Sequence, residues 1–207
     1  MTGHYIAFEG IEGTGKSTIA ARLTAYLEAQ GQEVLRVREP GGTRTGERIR
    51  KVLLDTDDSV SPWSEALLFA AARAQLGHEL VGPALRSGRW VVTDRSVYSS
   101  LAYQGAGRGL GIQAVRAVNE PGLGDVWPEL VVLLRLDAET GLARQNDPDR
   151  IGREGVMFQT AVAEAFDELA RTDPTRFVVV DASLDVERVW QDVLTHVEGR
   201  WAISLTE

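Results

Sequence analysis

Residues 8–18 read FEGIEGTGKST, and this stretch decides the fold. Gly10 is followed by four spacer residues and then by Gly15, Lys16 and Ser17, which fits the phosphate-binding pattern G-x-x-x-x-G-K-[ST] in full. The glycines allow a tight turn whose backbone N–H groups face phosphate oxygens, and the helix that follows adds its positive end. An apolar run before the loop predicts a strand, and helix formers after it predict a helix. This context argues against the alternative, a glycine-rich turn with an incidental lysine.

The loop residues have distinct predicted roles toward a nucleoside triphosphate. Lys16 neutralises charge on the β- and γ-phosphates, and the hydroxyl of Ser17 holds Mg²⁺. We therefore expect a nucleoside triphosphate as a ligand and Mg²⁺ as the cofactor. The predicted triphosphate-binding residues, which the family resemblance described below makes ATP-binding residues, are Gly10, Ile11, Glu12, Gly13, Thr14, Gly15, Lys16, Ser17 and Thr18.

The composition limits the partners of the chain. Its 207 residues include 30 acidic and 22 basic ones, a net charge of -8, which argues against a general nucleic-acid or anionic-membrane surface. The chain has no cysteine, which excludes disulfides and zinc–thiolate sites, and its three histidines lie far apart without ligand spacing. The first residues lead directly into a strand and no apolar run reaches the length of a membrane span. We therefore expect a cytoplasmic protein without nucleic-acid or membrane partners.

Strand-like and helix-like segments alternate along the whole chain. Short apolar runs at 5–8, 33–38, 90–93, 130–136 and 177–180 predict strands. Helices are predicted at about 17–30, 45–54, 62–85, 98–104, 112–120, 138–144, 154–171 and 185–197. The alternation predicts an α/β fold in which a parallel sheet lies between two layers of helices. No boundary divides the chain, so we expect residues 1–207 to form a single domain.

In a parallel sheet of this kind, ligands bind beyond the carboxyl ends of the strands. Residues 38–42 (REPGG) follow the second predicted strand, Asp94 and Arg95 end the third, and residues 181–183 (DAS) follow the fifth. The guanine-reading motif N-K-x-D of GTPases is absent, and an arginine follows Asp94 where motor ATPases usually carry a second acid. An arginine beside a metal-side aspartate suggests that a second phosphate is held. This favours transfer between nucleotides over hydrolysis.

Five motifs occur in order along nearly the whole chain: FEGIEGTGKST (8–18), REPGGT (38–43), LLFAAARAQ (67–75), DRSVYSSLAYQG (94–105) and DRIGRE (149–154). Together they resemble the thymidylate kinases of the bacterial type, which move the γ-phosphoryl group of ATP onto dTMP. The resemblance implies a P-loop NTPase fold of three layers with a five-stranded parallel sheet. It also implies a short mobile LID over ATP at about 144–154, and a homodimer.

On the donor side, Asp94 ends an apolar strand beside the phosphate loop and is the candidate for Mg²⁺, held through water as a Walker B carboxylate. The alternative for Asp94 is a helix cap, a position that aspartate favours. Glu12 lies inside the loop, where the family's acidic residue approaches the acceptor's sugar hydroxyl or a metal-bound water. Its alternative is an exposed spacer. The predicted metal-binding residues are therefore Ser17 and Asp94.

For the acceptor phosphate, the resemblance assigns Arg95 and Arg50, whose guanidinium groups suit bidentate contacts. Arg50 lies on a helix of mixed charge, where a solvated arginine is the alternative. Phe69 and Arg73 share one helix face, so that Phe69 can stack on a pyrimidine and Arg73 can donate to a thymine carbonyl. Without the neighbouring motif, an ordinary core residue is the alternative for Phe69.

Ser100, Tyr103 and Gln104 match the wall of the family's dTMP pocket together, with Arg108 nearby. In the family the tyrosine packs where a ribose 2′-OH would lie and so selects deoxyribose. A core tyrosine with a solvated hydroxyl is the alternative. Phe166 departs from the family, which often has a tyrosine after the LID helix.

Thymidylate kinases without an arginine in the phosphate loop use LID arginines to stabilise the transferring phosphoryl group. The spacers of this loop contain no arginine, so we expect Arg150, and after it Arg144, to take this role. The alternative for Arg153 is a solvated charge. The predicted catalytic residues are Lys16, Asp94, Arg95, Arg150 and Arg144.

Two other functions are compatible with parts of this pattern. A kinase for dUMP or a modified pyrimidine would carry the same motifs, because a pocket for one methyl group is worth only about 1 to 3 kcal/mol. A nucleotide-binding regulatory protein without turnover would have damage at Lys16, Asp94 or Arg95, and all three are intact.

Overall fold

Five parallel strands form the sheet at the centre of the fold. The computed structural model describes residues 3–55, 59–145 and 147–201. The strands are β1 (Tyr5–Glu9), β2 (Val34–Arg38), β3 (Trp90–Asp94), β4 (Leu130–Arg135) and β5 (Phe177–Asp181). Their order across the sheet is β2-β3-β1-β4-β5, and every pairing is parallel. The predicted α/β fold with a five-stranded parallel sheet is confirmed.

Helices cover both faces of this sheet. They are α1 (Lys16–Ala29), α2 (Arg44–Leu54), α3 (Pro62–Leu76), α4 (Gly82–Arg86), α5 (Val97–Ser100), α6 (Ile112–Leu123), α7 (Ala138–Ala143), α8 (Val156–Thr172) and α9 (Val186–Trp201). Helices α1 and α9 contribute to the core on one face, and α5, α6 and α8 contribute to the core on the other. Within the described ranges, no helix is long and apolar enough to cross a membrane.

Strand β4 illustrates why the strands of this sheet consist of continuous runs of apolar residues. Its side chains alternate between the two faces, as in any strand. Val132 and Leu134 pack with α1 and α9, whereas Val131 and Leu133 pack with α6 and α8. A strand that is covered on both faces therefore needs an apolar residue at nearly every position.

The helix predicted over 62–85 contains a wider turn. Helix α3 passes without a break into the π-helical segment Gly77–Val81, and α4 follows. Pro83 provides the physical reason, because it has no N–H to donate and its ring clashes with the carbonyl four residues earlier. The helix predicted over 98–104 likewise changes after Ser100 into a π-helical segment, Leu101–Gly107.

The register of the strands brings the functional loops to one edge of the sheet. Asp94 on β3 pairs with Phe8 on β1 and with Arg38 on β2. The phosphate loop, the segment after β2 and Arg95 therefore leave the sheet at the same level. This carboxyl edge is where parallel sheets bind their ligands.

Candidate active site

The phosphate loop wraps around the amino end of α1. Gly10, Gly13 and Gly15 have φ values of 139°, 77° and 86°, which residues with a side chain rarely adopt. The Lys16 ammonium folds back on the loop and donates to the carbonyls of Gly10 at 3.1 Å and Ile11 at 2.6 Å. The first N–H groups of α1 face the same space, so the loop presents donors and a positive charge together.

Two glycines fix the phosphate loop to α7. A Cβ atom at Gly13 would lie 2.3 Å from the carbonyl oxygen of Gly141. A Cβ atom at Gly141 would lie 2.7 Å from the carbonyl oxygen of Glu12. Helix α7 therefore approaches the loop backbone to backbone, and Arg144 follows directly after it.

Lys16 is buried and close to another cation. Burial, together with the positive charge of Arg95, lowers the pKa of Lys16 to about 8, although Glu12 and Asp94 oppose this shift. A bound phosphate would favour the charged ammonium and raise the pKa again. Binding of a triphosphate above pH 8 should therefore be linked to uptake of a proton.

We expect the affinity for ATP to fall by about tenfold between pH 7.5 and pH 9, because an increasing fraction of Lys16 has to take up a proton before it can pair with phosphate. Calorimetric titration in two buffers of different ionisation enthalpy measures both the affinity and the proton uptake. Lys16→Arg is the control, since its guanidinium stays charged, and its affinity should not change over this range. An equally flat profile for the unaltered protein would contradict the prediction.

Ser17 and Asp94 supply oxygen ligands of the kind that Mg²⁺ takes. The Ser17 hydroxyl donates to the Asp94 carboxylate, and both side chains line the same cavity. One hydroxyl and one carboxylate suit Mg²⁺, which usually keeps several waters and takes further ligands from substrate phosphates. In the part of the chain that the structure describes, no group of three or more His, Cys, Asp or Glu residues could enclose a metal. The residues present therefore fit Mg²⁺ delivered with a nucleotide.

Arg95 has a left-handed backbone, with φ of 71°, which no other non-glycine residue in the described ranges has. Its guanidinium donates to the carbonyl of Gly10 at 3.2 Å, to the hydroxyl of Ser99 at 3.1 Å and to the carboxylate of Glu12 at 2.9 Å. Such a conformation costs about 1 to 3 kcal/mol and persists only where the surroundings hold it. It turns the Arg95 side chain toward the phosphate loop.

Glu9, which the sequence analysis did not single out, holds the backbone next to Arg95. Its buried carboxylate accepts hydrogen bonds from the N–H and the hydroxyl of both Ser96 and Ser99, at 2.6 to 3.2 Å. On the other side, the N–H of Arg95 donates to the carbonyl of Phe8 at 2.9 Å. Burial raises the pKa of Glu9, while the serine hydrogen bonds oppose the shift. The sign of this role in the sequence is an acidic residue between an apolar strand and Gly10, the first glycine of the phosphate loop.

A cavity of about 220 Å³ opens beside the phosphate loop, and we call it the acceptor cavity. The predicted metal-binding residues Ser17 and Asp94 lie in its wall. All of the predicted acceptor-binding residues line it as well: Glu12, Arg50, Phe69, Arg73, Arg95, Ser100, Tyr103 and Gln104. Residues that are far apart in the sequence thus converge on one space next to the loop.

Glu12 connects the phosphate loop to the wall of the acceptor cavity. The hydroxyl of Tyr103 donates to its carboxylate at 2.6 Å, opposite the contact from Arg95. Burial alone would raise the pKa of Glu12, but the charges of Arg95 and Lys16 hold it below its usual value. Its side chain is only 20% exposed, so it is not a solvated spacer. Phe166 is buried behind Tyr103, with the two ring centres 6.2 Å apart.

Arg73 is held by several buried partners at the floor of the acceptor cavity. It donates to the Glu39 carboxylate at 2.6 Å, to the Asn119 side-chain carbonyl at 2.5 Å and to the Ser100 hydroxyl at 3.0 Å. Burial raises the pKa of Glu39 to about 7, although the charge of Arg73 opposes the shift. Phe69 lies one helical turn earlier in the cavity wall. Glu39 and Asn119 were not predicted as site residues.

Arg50 reaches the acceptor cavity from α2. Its guanidinium donates to the carbonyl of Pro40 at 2.9 Å, and the side chain is partly buried. Arg38 also lines the cavity, and it pairs with Glu47 at 3.2 Å. The sequence analysis gave Arg38 no role in the site.

Arg144 borders the phosphate loop but does not line the acceptor cavity. It lines a second cavity of about 280 Å³ together with Gly13, Thr14, Gly15 and Thr18, and we call this the donor cavity. Its guanidinium donates to the carbonyl of Ala182, in the loop after β5, at 2.9 Å. Arg144 is thus the predicted LID arginine that borders the loop.

The other two LID arginines have different partners. Arg150 donates to the Glu65 carboxylate at 2.6 Å and to the carbonyl of Leu53 at 2.8 Å. Arg153 donates to the carbonyl of Pro148 at 3.1 Å. Asn146, which belongs to the predicted LID range, lies outside the described residues, so the LID is described only in part.

The donor and acceptor cavities share the phosphate loop as their common wall. Arg144 lines the donor cavity with Gly13, Thr14, Gly15 and Thr18 of the loop, Arg95 and Arg50 line the acceptor cavity, and the magnesium-type ligands Ser17 and Asp94 lie in the wall of the acceptor cavity. Positive groups that face two anionic ligands across one loop are suited to phosphoryl transfer. The fold and the site define a P-loop kinase of the nucleoside monophosphate kinase class.

Comparison with known proteins narrows this class. The sequence model of the thymidylate kinase family matches residues 8–193 of this chain. Proteins named thymidylate kinase from Halothermothrix orenii, Deinococcus radiodurans and Bifidobacterium longum are 44%, 43% and 42% identical to this chain. Each alignment covers 96% of this chain and 98% of the relative. The chain belongs to the thymidylate kinase family.

Proposed function

We propose that this protein transfers the γ-phosphoryl group of ATP to dTMP, which gives ADP and dTDP, with Mg²⁺ as the cofactor. The observation that carries the proposal is the acceptor cavity, which combines the apolar side chains of Leu54, Phe69 and Ile151 with guanidinium groups directly beside the phosphate loop. The names of the relatives support dTMP as the acceptor. The reaction consumes ATP, which cells keep in the cytoplasm, and we propose that location.

On the donor side, the loop amides and Lys16 hold the β- and γ-phosphates of ATP. Mg²⁺, when bound, neutralises charge on the phosphate oxygens. The Ser17 hydroxyl and the Asp94 carboxylate would hold it, the latter through water. Lys16 donates to the carbonyls of Gly10 and Ile11 and the Ser17 hydroxyl donates to Asp94, so these side chains would exchange partners when phosphate and Mg²⁺ bind.

On the acceptor side, Arg95 and Arg50 hold the phosphate of dTMP in line with the γ-phosphate of ATP. Phe69 stacks on the thymine ring, and Arg73, together with Ser100 and Gln104, contacts its polar edge. Tyr103 and Glu12 occupy the space beside the sugar, where their hydrogen bond leaves no partner for a ribose 2′-OH. The position of these residues in the wall of the acceptor cavity supports these proposed roles.

We propose Arg144 as the LID arginine that stabilises the transferring phosphoryl group. The resemblance favours Arg150 before Arg144, but the contacts of the two side chains support the opposite order. Arg144 borders the donor cavity and donates to the backbone carbonyl of Ala182, which a phosphate can replace. Arg150 is paired with a buried carboxylate, and that pair would have to break first.

The test is an ADP-release assay with ATP and Mg²⁺ across dTMP, dUMP, dCMP, UMP and AMP. We expect the highest kcat/KM for dTMP and the lowest for AMP and UMP, because the cavity excludes a purine and a ribose 2′-OH. Activity with AMP and none with dTMP would overturn the proposal. A preference for dUMP would keep the kinase class and change the acceptor.

We further propose that the protein is a homodimer. Val52 on α2 and Trp63 and Leu67 on α3 are large apolar residues that are 53%, 44% and 53% exposed, and α2 packs against α3. A second copy of this chain would cover them. We expect sedimentation velocity to detect a dimer at micromolar concentration, and Leu67→Glu to shift it to monomer. Leu184→Glu, at an exposed leucine elsewhere, should leave the dimer intact.

A further inference from the structure

Glu65 forms a buried ion cluster beside the acceptor cavity, and the mechanism above gives it no role. Its carboxylate accepts hydrogen bonds from Gln104 at 2.9 Å, from Arg108 at 3.2 Å and from Arg150 at 2.6 Å. Arg108 also pairs with Glu154 at 2.6 Å. We call these five residues the Glu65 cluster. It joins α3 and the segment Leu101–Gly107 to both ends of the motif DRIGRE in the LID.

The charges of this cluster balance. Glu65 has no solvent exposure, and a carboxylate that is buried without partners would be strongly unfavourable. Two arginines and two glutamates together give no net charge. Burial by itself would raise the pKa of Glu65, but hydrogen bonds from Arg108, Gln104 and Arg150 hold it below its usual value. The carboxylate is therefore charged at neutral pH and attracts Arg150 from the LID.

The same helix face carries this cluster and the pyrimidine-binding residues. Glu65, Phe69 and Arg73 follow one another at intervals of four on α3, so their side chains lie along one face. Gln104 belongs both to the Glu65 cluster and to the wall of the acceptor cavity. A ligand in the acceptor cavity would therefore lie beside Gln104, which is hydrogen-bonded directly to Glu65.

The anchored LID segment itself forms part of the acceptor cavity. Asp149 and Ile151, on either side of Arg150, line the cavity, and Ile151 is buried against the core. Arg150 also donates to the carbonyl of Leu53 on α2, the helix that carries Arg50. Release of Arg150 would thus remove a wall of the cavity and loosen a contact to the helix of a phosphate-binding residue.

We infer that Glu65 is a positioning residue that docks the LID on the acceptor cavity through Arg150. The inference rests on the proposed function and extends it, because it makes binding of dTMP depend on an ion pair outside the cavity. Glu65 acts through Arg150 and Gln104 and touches neither substrate. Its loss should weaken binding of the acceptor and spare binding of ATP, whose loop contacts do not involve the cluster.

Steady-state kinetics of Glu65→Gln, Arg150→Ala and the double variant test this inference. We expect each single variant to raise the KM for dTMP by about tenfold and to leave the KM for ATP within about twofold. The double variant should be no worse than Glu65→Gln, because both changes break the same link. Asp167→Asn, which breaks the surface pair with Arg135, is the control and should change neither KM. Equal effects on both KM values, or additive effects in the double variant, would overturn the inference.

Two further measurements keep the result decisive. Arg150→Ala leaves Glu65 paired with Arg108 and Gln104, so it tests the link even if Glu65→Gln does not fold. Trypsin cleavage after Arg144 or Arg153, followed by mass spectrometry without substrates, should be several-fold faster in Glu65→Gln than in the unaltered protein. This readout needs no turnover. If the unaltered protein shows no activity with dTMP but Glu65→Gln is cleaved faster, the proposed acceptor is wrong and the docking role stands. If cleavage of Glu65→Gln is unchanged, the docking role is wrong.

Discussion

Replacing Arg95 with alanine is expected to lower kcat/KM for dTMP by about 10³-fold, the lower end of the range for arginines that stabilise a transferred phosphoryl group. The guanidinium lines the acceptor cavity and contacts Gly10 and Glu12 of the phosphate loop as well as Ser99. Its removal takes away the acceptor phosphate ligand and leaves Glu12 without its ion-pair partner. Steady-state kinetics with dTMP varied at saturating ATP measures the loss.

The backbone of Arg95 requires a matched pair of variants. Alanine at φ of 71° is strained, whereas glycine adopts this conformation freely. If the guanidinium carries the effect, Arg95→Gly and Arg95→Ala should lose activity equally, although the glycine variant should be the more stable to heat. Full or near-full activity in Arg95→Gly would show that the backbone turn and not the side chain matters. Arg95→Lys should recover part of the loss, because it restores a charge without the bidentate fork.

Replacing Arg144 with alanine is expected to lower kcat by about 10²- to 10³-fold, because a cation that borders the donor cavity would no longer stabilise the transferring phosphoryl group. The KM for dTMP should change little, since Arg144 does not line the acceptor cavity. Single-turnover kinetics at saturating substrates isolates this step from product release.

Arg150→Ala and Arg153→Ala are the matched controls for Arg144, because each removes one LID arginine. The Arg150 variant should change mainly the KM for dTMP, and the Arg153 variant should stay within a few-fold of the unaltered protein in all constants. A larger loss of kcat in Arg150→Ala than in Arg144→Ala would restore the order that the sequence suggested. If all three variants keep kcat within a few-fold, no LID arginine has the catalytic role.

Local patterns in the sequence were sufficient to predict the sheet, whereas most residues of the acceptor cavity were assigned through the resemblance to the thymidylate kinases. The phosphate loop is defined by consecutive residues, and the carboxyl ends of apolar strands indicated where Asp94 and Arg95 would lie. Glu9, Glu39 and Glu65 were missed because the sequence around a glutamate does not show which distant donors its carboxylate will meet. Each of the three becomes informative only when tertiary structure buries it against donors that are distant in the sequence.

The sequence also could not predict the direction in which the side chains of the LID arginines point. Arg144 and Arg150 lie six residues apart in a polar loop, where no periodicity relates their side chains. The buried charge of Glu65 determines which of them turns toward α3, and its position depends on the packing of α3 against Leu101–Gly107. The π-helical segment before Pro83 is a similar case, since the proline signals a disturbance but does not specify its form.

The contact between Gly13 and Gly141 has a consequence for movement. Because neither position has room for even one methyl group, the backbones of α7 and the loop lie in direct contact. We therefore expect α7 to stay docked on the loop, and any movement of the predicted LID to begin after Ala143.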